Sequence, residues 1–121
     1  MNQKECISQI FNEVMFSKPD HPLTIVCCFH SRKDMQNFCQ SLCDKFTYPR
    51  KTKINLGIVS DCFSSTAENN HIYVMHDNCK FTDGIYPDLF YYQEGKYYSN
   101  LVDVLKHKTL GLKHSEIYSF E

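Results

Sequence analysis

Apolar residues at Cys6, Ile7, Ile10, Phe11, Val14 and Met15 recur at the spacing of one helix face. They predict a helix over Asn2–Phe16, capped by Asn2 with Glu5 three residues on. Lys18-Pro19-Asp20 ends it. Leu23–Phe29, LTIVCCF, is a short continuous apolar run rich in β-branched residues. Such a run suits a strand buried on both faces, as in a parallel sheet. SRKD follows at once, with Ser31 as the cap and Asp34 at the third helical position. The next helix carries Met35, Phe38, Cys39, Leu42, Cys43 and Phe46 on one stripe.

The pattern then shortens. TYPRKTK, with Pro49, is a loop; Ile54–Val59 reads as a second strand and His71–His76 as a third. Between them SDCFSSTAENN is polar, with room for one helical turn. That is short of a full crossover, so the third strand is expected antiparallel to the second or reached by a cramped crossover. Tyr86–Ser99 reads as a hairpin about Glu94-Gly95. Asn100 with Asp103 caps a last short helix through Leu105, and EIYSF alternates as an edge strand. The elements predict a single α/β domain over residues 1–121. It has a mixed, mostly parallel central sheet flanked by helices and a C-terminal β-hairpin.

Composition narrows the setting. At 121 residues the chain can bury a core without staples. The formal charge, 13 − 14 = −1, disfavours nucleic acid as the main partner, though a local basic patch is compatible with it. No apolar leader follows Met1, and no run reaches the roughly 18 apolar residues of a membrane span. The expectation is an intracellular chain, cytoplasmic or nuclear, without a membrane partner. Its seven cysteines are then reduced, with Cys27, Cys28, Cys39 and Cys43 in core positions. Low Gly and Pro with many Cys, Asn, Phe and Tyr suit an accessory protein of a virus or mobile element.

Five places could carry chemistry. PDLFYYQEGK places Pro87-Asp88 before Glu94-x-Lys96. This resembles the PD-(D/E)xK nuclease superfamily, which includes viral cap-snatching endonucleases. The resemblance implies that Asp88 and Glu94 hold Mg²⁺ or Mn²⁺ while Lys96 helps activate water. Both carboxylates must then reach one cation, at about 2.0–2.6 Å. Six residues of extended strand put them roughly 20 Å apart. The second hairpin strand offers Ser99, Asn100 and Leu101 opposite Asp88, and no acid.

The second place is the carboxyl edge of the sheet, where open α/β folds bind ligands. His30, Ser31, Arg32 and Lys33 follow the first strand, Ser60 the second, and His76 ends the third. With all three strands parallel these converge at a helix N-terminus, which suits a phosphate-bearing ligand. The alternative is a cap at Ser31 and solvated cations; no glycine-rich phosphate loop is present.

His71, His76, Cys79 and Cys62 are zinc-type ligands, but His71 and His76 are five apart on a strand and point to opposite faces. No metal site is expected there. Cys27 or Cys28 beside His30 has the letters of a thiol nucleophile, but lies in the most apolar strand.

Last, the hairpin would put Tyr91 and Tyr98 on one face and Tyr92 and Tyr97 on the other. A small domain can hardly bury both faces, and tyrosine is enriched at recognition surfaces. The sequence therefore favours a non-enzymatic binding module meeting a protein partner through Tyr91, Tyr92, Tyr97 and Tyr98, with no cofactor. A phosphate-ligand binder or enzyme and a divalent-metal nuclease are the alternatives.

Overall fold

A computed structural model describes residues 1–17, 20–47, 57–59, 62–67, 69–79, 83–111 and 115–121. The elements are α1 (Gln3–Met15), β1 (Thr24–Phe29), α2 (Arg32–Thr47), β2 (Gly57–Val59) and β3 (Cys62–Ala67). They continue with β4 (Asn70–His76), β5 (Leu89–Gln93), α3 (Leu101–Leu110) and β6 (Glu116–Phe120). The sheet has six strands in the order β2-β3-β4-β1-β5-β6. β4, β1, β5 and β6 run parallel, β3 is antiparallel to β4, and β2 is antiparallel to β3. The mixed, mostly parallel α/β domain expected from the sequence is the fold observed.

β1 alternates its side chains between two cores. Ile25, Cys27 and Phe29 pack with α1 and α2, beside Ile10, Phe38 and Phe46. Val26 and Cys28 pack toward α3, beside Phe90, Val102 and Leu105. The continuous apolar run of β1 is thus the seam of a three-layer sandwich. The step from β1 to β4 and the step from β5 to β6 go in opposite directions along the sheet. Crossovers of one hand then place α2 and α3 on opposite faces. The helix caps follow the sequence. Asn2 accepts from the Glu5 N–H at 2.8 Å, and Ser31 Oγ accepts from the Asp34 N–H at 3.3 Å.

Three expectations change. The polar stretch before β4 contains β3, which pairs with β4 from Cys62↔Met75 to Ala67↔Asn70. β3 and β4 therefore form a tight hairpin, turning at Asn69 with φ 68°. No helical turn is needed, because β3 itself leads into β4. The second strand is described only over Gly57–Val59; Ile54 and the two residues after it, and Pro49, lie outside the described residues.

The hairpin about Glu94-Gly95 does not form. β5 stops at Gln93, and residues 94–100 bend toward α3. The reason is edge occupancy: β5 has β1 on one side and β6 on the other, both parallel. No edge is left for a returning strand. The C-terminal strands do pair, β5 with β6, but through α3. α3 runs past Leu105 to Leu110, and Asn100 makes no side-chain cap. Ser99 Oγ instead accepts the Leu101 N–H at 3.2 Å.

Candidate functional site: the carboxyl edge of the sheet

β1 lies between β4 and β5, so the chain order reverses on either side of it. In open α/β sheets the crevice at such a point is the usual ligand site. Here that crevice is filled from within. The Gln93 side chain, ending β5, is buried at 4% exposure. Its Oε1 accepts the backbone N–H of His30 at 3.2 Å and of Ser31 at 3.4 Å. Its Nε2 donates to Asp34 Oδ2 at 2.6 Å. A side-chain carbonyl thus sits where an anion would meet the β1–α2 turn, with a carboxylate behind it. That arrangement opposes a phosphate, despite the helix dipole.

His30 is also committed. Its Nε2 lies 2.8 Å from the Glu94 carbonyl, and its ring meets Tyr97 edge-on at 5.6 Å. Gly95 makes this possible. It takes φ +136°, and a Cβ there would stand 2.4 Å from His30 Nε2. Tyr97 closes the floor, its hydroxyl donating to the carbonyls of Cys28 at 3.1 Å and Gln93 at 2.9 Å. Burial pushes the Tyr97 phenol well up, so it stays neutral.

On the β4 side Asp77 is buried and collared. Its carboxylate accepts the backbone N–H groups of Tyr98 and Ser99, and the Ser99 hydroxyl. Burial pushes this carboxyl up, but the Ser99 hydroxyl, the two N–H groups and His76 outweigh it, and the net shift is downward. Asp77 therefore fastens the loop before α3 to the end of β4.

The sequence candidates separate as follows. His30, Ser31 and His76 come to one edge, since β4 is parallel to β1 with Phe29 opposite His76. Arg32 and Lys33 are exposed beside them on α2. Ser60 lies outside the described residues. The strand before it, β2, is three positions from β1, roughly 14 Å away.

Asp88 and Glu94 flank β5 at its two ends. Asp88 Oδ2 accepts the Thr24 N–H at 2.8 Å at the amino end of β1, while Glu94 is exposed at the carboxyl end with Lys96. They do not share a cation. Asp88 is a structural clasp, tied also through its backbone to Thr24 and Glu116.

His71 is exposed and stacks near Tyr73, and among the described residues no three of His, Cys, Asp and Glu form a metal-holding group. Cys27 and Cys28 are fully buried, and burial pushes both thiols well up, away from nucleophilic use.

The tyrosines divide, which corrects the expected two-faced ladder. Tyr91 is fully buried and stacks on Tyr118 at 5.1 Å, its hydroxyl accepting from Gln9 Nε2 at 3.0 Å. Tyr92 is half-buried under Lys106, and Tyr97 is half-buried in the floor. Tyr98 alone of the four is open, at 90% exposure. The physical reason is the missing hairpin: a central strand buries both its faces.

Gln93, Asp34, Asp77 and Gly95 are the residues that sequence reasoning passed over as site members. A buried glutamine ending the apolar run LFYYQ was the available signal.

The fold matches solved structures. The large terminase of bacteriophage HK97 superposes with a TM-score of 0.67 at 11% identity, over 98% of this chain and 26% of that one. The large terminase of a thermophilic bacteriophage gives 0.64 at 7% identity, over 94% of this chain and 29% of that one. The same thermophilic phage large terminase in complex with ADP gives 0.57. This chain shares its fold with a portion of phage large terminases. It spans little more than a quarter of their length. No protein-family model matches the chain, and no curated protein matches it in sequence.

Proposed function

We propose that this chain is a non-catalytic α/β binding module, an accessory of a virus or mobile element, that works by contact with a partner protein. The observation that carries the reading is the filled carboxyl edge. Gln93 holds the N–H groups of the β1–α2 turn and Asp34 backs it, so, among the described residues, that turn offers no open anion seat. Terminase-like folding supports the viral setting. The apolar side chains Phe16 and Leu110, exposed at 85% and 72% on opposite faces of the sheet, are two separate points at which a protein contact can be tested. Phe16 follows α1 and Leu110 ends α3, so both stand toward the amino end of the sheet, away from the filled crevice.

A nucleotide site is the competing reading, since one neighbour of this fold is an ADP complex. The Gln93–Asp34 pair weighs against it here. A Mg²⁺ or Mn²⁺ nuclease has less support, with Asp88 and Glu94 at opposite ends of β5.

The test has two arms. Benzoylphenylalanine in place of Phe16 or Leu110, irradiated in the native cell, gives a discrete protein adduct that the same group at Lys4 does not. In the second arm Mg-ADP, Mg-ATP and inorganic phosphate leave the melting temperature unchanged. A saturable rise with any of them, abolished by Arg32→Ala, would overturn the reading.

A further inference from the structure

Three lysines stand over three tyrosine rings on the α3 side of the sheet. Lys106 Nζ is 4.3 Å from the Tyr92 centroid, Lys108 is 5.2 Å from Tyr86, and Lys96 is 5.9 Å from Tyr98. The pairs form a strip. Lys96 and Tyr98 lie in the loop after β5, with Tyr98 held at the end of β4 by Asp77; Tyr92 is near the carboxyl end of β5 and Tyr86 just before its amino end. β5 alone is roughly 17 Å long, so the strip spans several nucleotides' worth of surface. Tyr98 is 90% exposed and Tyr86 55%. His107 is exposed between Lys106 and Lys108. Among the described residues the acids on and around the strip include Asp103 on α3, Asp83 and Asp88 on either side of Tyr86, Asp77 beside Tyr98, Glu94 and Glu116.

Tyr98 and Tyr86 each carry a lysine over one ring face and stay largely exposed, so cation and ring lie side by side, which matches one chemistry well. A single strand carries a phosphate for each cation and an unstacked base for each ring. A duplex keeps its bases inside and gives the rings nothing. An acidic peptide would use the lysines and leave the rings idle. We propose that the α3 side of this chain binds single-stranded nucleic acid, with Lys96, Lys106 and Lys108 on phosphates and the Tyr98 and Tyr86 rings stacking bases. The chain's net charge of −1 means that local charge does this, so binding is salt-sensitive. The strip reaches Leu110 at its amino end, two residues past Lys108, but the nucleic-acid reading does not depend on a protein contact there.

The experiment is fluorescence anisotropy of the full chain with labelled oligothymidylate of about 15 nucleotides. Saturable binding is expected that weakens as salt rises from about 50 to 200 mM. Tyr98→Ala and Tyr86→Ala each weaken it by about tenfold with the salt slope kept. Lys106→Ala and Lys108→Ala each reduce the slope by about 0.7. Lys4→Ala, on α1, changes neither, and melting curves confirm that every variant is folded. The proposal is overturned by no saturable signal at the lower salt, by equal affinity for duplex, or by full competition from polyglutamate. Binding indifferent to both tyrosine substitutions overturns it too.

Discussion

Gln93 and Asp34, separated by 59 positions in the chain, are joined by a 2.6 Å hydrogen bond at the carboxyl edge. Through it the last residue of β5 is locked to the first turn of α2, and the other end of the amide holds the turn after β1. Gln93→Leu removes all three bonds and leaves the Asp34 carboxylate and two N–H groups to find water. The expected loss is about 2–3 kcal/mol, read as a lower urea midpoint with an unchanged slope. A neutral outcome would show that the edge is not held this way.

Gly95→Ala should destabilise the chain by about 1–3 kcal/mol, because the residue sits at φ +136° and its new Cβ would strike His30. Repeating it in a His30→Ala background isolates the collision. The penalty should shrink there but not vanish, since the backbone strain remains.

Asp77 sets an acid limb. Its carboxyl is held below the ordinary range, so its contribution is complete above about pH 4. It is lost as pH falls through the lower folded value. Asp77→Asn should therefore be less stable than the parent at neutral pH. The gap should narrow below the usual carboxyl range. A gap that stays constant down to the lowest pH would remove the carboxylate from the account.

The tyrosines should behave as two classes. Tyr91→Ala empties a core position between α1 and β6 and should cost about 3–5 kcal/mol. Tyr98→Ala should fall within about 0.5 kcal/mol of the parent. Chemical denaturation of the two variants side by side checks this.

Native thiol labelling should reach Cys43 first. It is partly exposed on α2 although burial raises its thiol too, whereas burial pushes Cys39 up to about 12 and seals Cys27 and Cys28. Peptide mapping after brief alkylation should find Cys43 modified and the two β1 thiols intact until the protein unfolds.

Local pattern was enough for much of this. The 3.6-residue stripe from Cys6 to Met15, the LTIVCCF run and the Ser31 cap specify α1, β1 and α2, because each rests on neighbours in the chain. They also specify the α/β class. The distance argument on Asp88 and Glu94 needed only the rise of a strand. β3 escaped notice because CFSSTA, toward the sheet's edge, carries little apolar signal. Only tertiary structure decided the fate of PDLFYYQEGK. Whether that stretch turns into a hairpin depends on which strands already occupy its two edges, and those strands are β1, about sixty residues earlier, and β6, after α3. The same pairing buried Tyr91, left Tyr98 in solvent and carried Gln93 to the turn after β1. No local periodicity records such contacts, because they join residues whose only relation is their place in the sheet.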